Sequence, residues 1–273
     1  MRRPTNGPTD GPADRQTGGL NNRRSTVNRL SAEDVTLAYD QRVIAEQLSV
    51  EIPDNSFTVI VGPNACGKST LLRALSRMLK PSRGRVLLDG QVIQSMPAKK
   101  VARTLGLLPQ SSIAPDGITV ADLVGRGRYP HQGILRQWST EDERVVQESM
   151  ARTGIADLGE RHVDELSGGQ RQRVWIAMAL AQETPLLLLD EPSLGLAPRM
   201  VYRIAEVIRE INTQGTAVLL VEQNAGMALS LADHAHVLEV GETRLSGPAD
   251  ELARTDAVRR LYLGEAAEDQ GAA

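Results

Sequence analysis

The segment that decides the fold runs from an apolar stretch through a glycine-containing loop into a helix, and it reads Phe57-Thr58-Val59-Ile60-Val61-Gly62-Pro63-Asn64-Ala65-Cys66-Gly67-Lys68-Ser69-Thr70. The apolar stretch 57–61 predicts a buried strand, and the apolar spacing over 69–79 predicts a helix. Between them, residues 62–69 fit the pattern G-x-x-x-x-G-K-[ST], which wraps backbone N–H groups around phosphate oxygens. A Gly-rich turn of purely structural origin is the alternative, and the preceding strand and following helix argue against it.

Each part of this loop has a predicted task in binding a nucleoside triphosphate with Mg²⁺. Lys68 would neutralise the β- and γ-phosphates, and the Ser69 hydroxyl would ligate Mg²⁺. The predicted nucleotide contacts in the loop are Gly62, Pro63, Asn64, Ala65, Cys66, Gly67, Lys68, Ser69 and Thr70. Cys66 is the only cysteine of the chain, and we expect Lys68 and the helix N-terminus to lower the pKa of its thiol. The alternative is a buried, inert small residue.

Strands and helices alternate on both sides of the loop. Short β-rich runs precede it, and an Asp89-Gly90 hairpin signal follows it. Buried strands are predicted further on at 105–108, 186–189, 217–221 and 235–240. Residues 117–165 interrupt this alternation with helical patterns and little strand signal. The sequence therefore predicts an α/β fold with a mostly parallel core sheet, an antiparallel β part and a helical insertion subdomain.

Composition bounds the class of protein. Apolar residues make up 41% and charged residues 24% of 273 residues, which is ordinary for a globular protein. A net charge of −3 gives no sign of a nucleic-acid partner. No apolar run approaches the roughly 20 residues of a membrane span, and the single cysteine fits a reducing compartment. Residues 1–29 are rich in Pro, Gly, Asn and Thr and are predicted to be a disordered tail, followed by one domain at 30–264 and a C-terminal tail at 265–273.

Two carboxylates stand where a predicted buried strand ends. Asp190 and Glu191 follow four consecutive leucines. At the carboxyl edge of a parallel sheet, Asp190 can hold the Mg²⁺ shell while Glu191 polarises an attacking water. Acidic residues at a strand end are common, so the phosphate-binding loop upstream is what makes this pair a candidate for phosphoryl transfer to water.

A second glycine pair opens another helix. Leu166-Ser167-Gly168-Gly169-Gln170 precedes a long run with helical apolar spacing. Ser167 is a suitable N-cap, and a Ser-Gly-Gly turn at a helix start is a second candidate anion site. Plain helix capping is the alternative.

Together these motifs resemble the ATPase subunits of ABC transporters. The loop at 62–69, Gln110 after a strand, the segment 166–170 and Asp190-Glu191 occur in the order and spacing of that family, and the resemblance covers 30–264. It implies a P-loop NTPase fold that hydrolyses ATP with Mg²⁺. It further implies that Ser167, Gly168, Gly169 and Gln170 close over ATP held by another subunit, that Gln110 senses the metal, and that Tyr39 stacks on adenine. For Tyr39 a core aromatic at a strand end is the alternative.

The resemblance also implies partners and a location. The chain is expected to form a homo- or heterodimer of ATPase subunits on integral membrane permease subunits. The permease would contact the Gln110 loop and the helical insertion, and a substrate-binding protein would act through the permease. The chain would then be peripheral on the cytoplasmic face of the inner membrane.

Two positions depart from the family pattern. The loop after Glu191 usually ends in Leu-Asp, but here residues 193–198 lack the Asp. Gln223 stands at the position of a switch histidine; its amide can donate a hydrogen bond to a γ-phosphate oxygen but carries no charge. The departures predict slower hydrolysis or a better-equipped second subunit. A module that binds nucleotide with little turnover is the alternative.

Two subfamilies are represented in the sequence. Residues 125–133 and 174–182 resemble ATPases of ferric-siderophore importers, whereas 195–198, 221–224 and 262–264 resemble those of branched-chain amino-acid importers. Since the implied permease contacts lie in the first half, siderophore import is predicted. Arg126, Arg128 and His131 in this first stretch have a simpler alternative, a solvated loop.

Overall fold

The computed structural model describes residues 28–133 and 138–259. The predicted C-terminal tail and all but the last two residues of the predicted N-terminal tail lie outside these ranges, as does the stretch 262–264. The strands are β1 (Asn28–Tyr39), β2 (Arg42–Pro53), β3 (Phe57–Val61), β4 (Arg83–Leu88), β5 (Gln91–Val92), β6 (Leu105–Leu108), β7 (Leu186–Asp190), β8 (Ala217–Glu222), β9 (His234–Glu239) and β10 (Glu242–Pro248). The α-helices are α1 (Lys68–Leu75), α2 (Ala98–Thr104), α3 (Val120–Gly125), α4 (Thr140–Arg152), α5 (Gly168–Ala181), α6 (Pro198–Thr213), α7 (Ala225–Leu231), α8 (Ala249–Leu252) and α9 (Asp256–Val258).

The core sheet has six strands in the order β10-β9-β3-β8-β7-β6. Every pairing from β9 to β6 is parallel, and only β10 is antiparallel to its neighbour. All residues of β3 and β7 are buried, and both strands are apolar except for Thr58 and Asp190. This composition fits a sheet whose two faces are covered by helices and a second sheet. The predicted α/β fold with a mostly parallel core sheet is confirmed.

The second sheet is antiparallel, with the order β2-β1-β4-β5. Buried and exposed residues alternate along much of β1 and β2, as expected for strands that cover the core on one face. β1 begins at Asn28, two residues before the predicted domain start. Arg29 belongs to the fold because its guanidinium binds the Asp54 carboxylate, with 2.6 Å between Nε and Oδ1.

Two hydrophobic cores lie on opposite sides of the core sheet. Val59 and Val61 of β3 pack into a core that includes apolar residues of α3 to α7. Ile60, between them, packs into the other core with residues of β1, β2 and α1. Alternation along each buried strand sends successive side chains to opposite faces. Packing on both faces therefore fixes the sheet, and with it the loops at its carboxyl edge.

The predicted helical segment 117–165 contains α3, α4 and the 3-10 helices Arg126–Arg128, Ala156–Leu158 and Val163–Glu165. Its helices pack against α5, which returns the chain to the core sheet. Across the described residues, no helix is both long and apolar enough to cross a membrane.

A buried ion pair joins this segment to the core. Arg128 is 2% exposed and Asp142 of α4 is 0% exposed, and Nε of the arginine lies 2.9 Å from Oδ1 of the aspartate. Arg128 Nη1 also donates to the Ala181 carbonyl at the end of α5 and to Glu183, both at 2.7 Å. The alternative of a solvated loop is therefore wrong for Arg128, because charged and carbonyl partners distant in sequence compensate for its burial.

Candidate active site

The loop between β3 and α1 is shaped by two glycines. Gly67 caps α1 with φ of 105°, a left-handed conformation that favours glycine. Gly62 passes so close to β9 that an added Cβ would lie 2.3 Å from the Leu238 carbonyl oxygen. Lys68 folds back across the loop and donates from Nζ to the carbonyls of Gly62 and Pro63, both at 3.0 Å. The ammonium group thus lies inside the loop that was predicted to bind phosphate.

The predicted carboxylates meet this loop at the carboxyl edge of the sheet. Ser69 Oγ donates to Asp190 Oδ1 at 3.0 Å, and Lys68 Nζ lies 3.6 Å from Glu191 Oε1. Gln110, two residues after β6, donates from Nε2 to Glu191 Oε2 at 2.8 Å. The structure therefore brings these five predicted residues, which follow or end β3, β6 and β7, into one cluster.

Burial controls the electrostatics of the cluster. Lys68, Asp190 and Glu191 are all buried. Burial raises the pKa of Asp190 above its ordinary value, and the hydrogen bond from Ser69 opposes that shift. The hydroxyl of Ser69, the carboxylate of Asp190 and the amide oxygen available on Gln110 are hard oxygen donors, which is the ligand chemistry that Mg²⁺ prefers. The residue types present fit the ion.

A cavity of about 560 Å³ lies over the cluster. Its lining includes six predicted site residues of the loop and three outside it, namely Asn64, Ala65, Gly67, Lys68, Ser69, Thr70, Gln110, Glu191 and Gln223. Arg42 and Ile44 of β2 and Leu194 also line it. Sequence reasoning missed all three, and only the charge of Arg42 between two predicted β-rich runs offered a signal.

The Cys66 side chain lies outside the cavity lining and is buried in the core that contains Ile60. Burial raises the pKa of its thiol, and the nearby Lys68 only partly offsets that effect. The expectation of a lowered pKa is therefore wrong. Removing a thiolate from water costs more here than the neighbouring ammonium group returns.

Tyr39 stands at the end of β1, outside the lining of this cavity. It is 39% exposed, and its hydroxyl accepts a hydrogen bond from Arg73 Nη1 at 3.0 Å. The alternative of a core aromatic is not what the structure shows. Its cross-strand partner Arg42 does line the cavity, so Tyr39 borders the site and its stacking on adenine stays a prediction.

The second glycine pair starts α5 and lies outside the cavity lining. Ser167 is the N-cap, and its hydroxyl accepts from the Gln170 N–H while the Gln170 side chain accepts from the Ser167 N–H at 3.0 Å. Ser167 and Gly168 are exposed. Helix capping is thus present. Among the hydrogen bonds of the described residues, none joins this turn to the phosphate-binding loop of the same chain.

Gln223 follows β8 and is exposed between two cavities. The second cavity, of about 830 Å³, is lined by Glu191, residues of the loop after it, and residues of α6 and α7. Glu222, buried at 2% exposure, also lines it and was missed by sequence reasoning. An acidic residue closing a buried strand was the available signal, the same signal that identified Asp190.

Comparisons with known proteins give the family. A family model described as ABC transporter matches residues 45–194. The chain is 46% identical over 238 residues to the ferric enterobactin transport ATP-binding protein FepC of Escherichia coli (strain K12), covering 87% of this chain and 88% of the relative. It is 42% identical over 237 residues to the petrobactin import ATP-binding protein FpuD of Bacillus anthracis, covering 86% and 87%.

A solved structure of the ADP conformation of an ATP-binding cassette of an ABC transporter shares the fold. Its TM-score is 0.77 at 24% identity, over 88% of this chain and 100% of that chain. The fold and the nucleotide site define an ATP-hydrolysing cassette. The chain belongs to the ABC transporter family, whose ATPase subunits work with membrane permeases.

Proposed function

We propose that this chain is the ATP-hydrolysing motor of an importer of ferric siderophores. The observation that carries the proposal is identity of 40–46% over at least three quarters of the chain to relatives named for enterobactin, petrobactin, achromobactin and iron(3+)-hydroxamate transport. Residues 125–133 and 174–182, which resemble siderophore importers, lie in or beside the helical segment. The resemblance of later residues to branched-chain amino-acid importers supplies the competing substrate class.

Five residues would carry the chemistry. Lys68 would bind the β- and γ-phosphates of ATP, and Ser69 and Asp190 would hold Mg²⁺ with Gln110. The ion, when bound, neutralises charge that develops on the phosphates. Glu191 would accept the proton of the attacking water.

The contacts in the structure suggest how ATP prepares Glu191. Lys68 Nζ is held by two loop carbonyls and lies 3.6 Å from Glu191, and Gln110 donates to the same carboxylate. Phosphate oxygens would compete for Lys68 because an ammonium group binds a negatively charged oxygen more strongly than a neutral carbonyl. With Lys68 on phosphate and Gln110 on the metal shell, Glu191 would be free to accept a proton.

The exposed Ser167–Gln170 turn supports a dimer. Ser167 and Gly168 at the start of α5 are exposed, and the turn does not line the cavity of its own chain. A second subunit would supply this turn to the ATP, in line with the resemblance. The dimer would be homo- or heteromeric, and Gln223 would face the γ-phosphate as a neutral donor.

A groove on the helical segment is the proposed permease contact. It measures about 650 Å³ and is lined mainly by residues of α3 and α4 with Tyr129 and Trp138. Ile113, in the loop after Gln110, is exposed over 93% of its surface. A contiguous apolar surface rimmed by polar residues, as in this groove, is typical of an interaction site. The chain would thus bind a permease at the cytoplasmic face of the membrane, and a substrate-binding protein would deliver the siderophore to that permease.

Uptake by a reconstituted importer tests the substrate. The full chain is co-expressed with candidate permeases in cells lacking their own importer ATPases, and uptake of radiolabelled ferric siderophore and of radiolabelled leucine is measured. Siderophore uptake that disappears with Glu191→Gln, while ATP binding persists, supports the proposal. The control is Glu206→Gln, an exposed residue of α6. Leucine uptake without siderophore uptake would contradict the substrate assignment.

A segment exchange tests the docking surface. Residues 117–165 are replaced by those of an amino-acid importer's ATPase. Arg128 is kept because it binds Ala181 and Glu183 outside the segment, and Asp142 is kept because it pairs with Arg128. The permease that co-purifies is expected to change while basal ATP hydrolysis stays near its original rate. A chimaera that still assembles with the siderophore permease would remove the support for docking at this groove.

A further inference from the structure

Glu222 is a buried carboxylate with no role in the chemistry described so far. It is the last residue of β8 and is 2% exposed. Its two oxygens accept from two different backbone N–H groups: Oε1 from Ser193 and Oε2 from Gln223, each at 3.2 Å. The side chain therefore bridges two loops.

Both of these loops reach the reacting end of the nucleotide cavity. Ser193 lies two residues after Glu191, whose own N–H donates to the Val221 carbonyl of β8 at 2.9 Å. Gln223 lines the same cavity as Lys68 and Glu191. Glu222 consequently links the loop that follows the proposed base to the turn that carries Gln223.

The bridge requires an ionised carboxylate. Only that group offers two acceptor oxygens at this length, whereas a glutamine or a protonated glutamate presents a donor at one end. A donor facing a backbone N–H in a buried site leaves at least one group unsatisfied. Burial raises the pKa of Glu222, hydrogen bonds from Ser193 and Gln223 oppose the shift, and the charge of Glu191 adds to it.

We propose that Glu222 is a positioning residue that holds the loop after Glu191 and the Gln223 turn together, so that both side chains face the γ-phosphate, and that its protonation releases them. The inference rests on the proposed roles of Glu191 and Gln223. The charged residues that line the second cavity with Glu222 are Glu191 from the loop after β7 and Glu206 and Arg209 from α6. Among these charged side chains, and within the part of the chain that the structure describes, only Glu222 accepts hydrogen bonds from both backbone segments.

The test is the pH dependence of turnover in Glu222→Gln. This variant keeps the size of the side chain but removes one acceptor. We expect kcat to fall about tenfold near pH 8, with KM and the binding of a fluorescent ATP analogue within about twofold. As the pH falls through the acidic range, the wild-type kcat should approach that of the variant, because protonation of Glu222 adds a donor and weakens one of its acceptors. Glu206→Gln, which lies on the wall of the second cavity, is the matched control, and its wild-type-to-variant ratio of kcat should stay near one.

Three results decide the matter. A wild-type kcat in Glu222→Gln, or a wild-type-to-variant ratio that stays constant with pH, would overturn the inference. If Glu222→Gln does not fold, Glu222→Asp is measured instead, because aspartate keeps both acceptor oxygens. A kcat within about threefold of wild type, with the same loss on acidification, supports the bridge. A loss of kcat that does not depend on pH overturns it. Glu191→Gln is measured in parallel, since retained turnover there would refute the proposed base whatever Glu222 does.

Discussion

Replacing Arg128 by methionine is expected to destabilise the fold by about 3 kcal/mol, because the change leaves a buried carboxylate without its cation. Asp142 is fully buried, and its oxygen lies 2.9 Å from Arg128 Nε. Breaking such a pair from one side costs about 3–5 kcal/mol. Ser139 still donates to Asp142 from its backbone N–H and its hydroxyl, at 3.1 and 2.7 Å, which places the loss at the lower end of this range.

Urea denaturation followed by circular dichroism measures the effect. The midpoint should fall with an unchanged m-value, since the surface exposed on unfolding is nearly the same. Arg144→Met is the control: this arginine pairs with Glu141 and Glu148 on the surface of α4, and exposed pairs of this kind contribute little. Adding Asp142→Asn to Arg128→Met should recover part of the loss by removing the unpaired charge. Equal losses for Arg128→Met and Arg144→Met would refute the reasoning, because burial would then not be what distinguishes the two arginines.

Three further predictions concern single side chains. Burial lowers the pKa of His236 to about 4, below the roughly 6.5 of an unfolded chain. The unfolded state therefore binds the proton first as the pH falls. Between these two pH values, acid should reduce the free energy of unfolding by at most about 3 kcal/mol. Denaturation of His236→Gln over the same pH range should lack this component; an identical slope would contradict it. Gln223→His is expected to raise kcat in a verified homodimer, because a cation can then face the γ-phosphate, and steady-state ATP hydrolysis would show no gain if other groups already compensate. Cys66 should react with maleimide slowly in the folded chain and quickly in urea, and fast labelling of the folded chain would contradict its raised pKa.

The phosphate-binding loop and the core strands were predictable because their signals are local. The strand 57–61 and the strand 105–108 were predicted with the bounds the structure gives them, since strands buried within a parallel sheet are mostly apolar. The first helix was predicted to reach residue 79 but ends at Leu75. Arg77 adopts a left-handed φ of 69° there, and apolar periodicity continues past it, so the sequence contains no helix stop of the usual kind.

The partners of buried charges were not predictable in the same way. Arg128 stands in a Gly- and Arg-rich stretch that is typical of a solvated loop, and its burial depends on Asp142 and the end of α5, far away in sequence. The pKa of Cys66 depended on the balance between burial and a neighbouring ammonium group, and the sequence shows only the neighbour. Glu222 had the strand-end signal, but its two hydrogen bonds depend on how two loops meet.

The core sheet separates two sets of apolar residues, and this separation has a consequence for how substitutions combine. Met150 packs in the core on one side and Leu88 in the core on the other. Substitutions at sites that share no contacts add in free energy, whereas those in one packed cluster couple by about 0.5–3 kcal/mol. A second substitution that restores the stability lost by a first should therefore lie on the same side of the sheet. Core positions on the two sides should vary largely independently of each other.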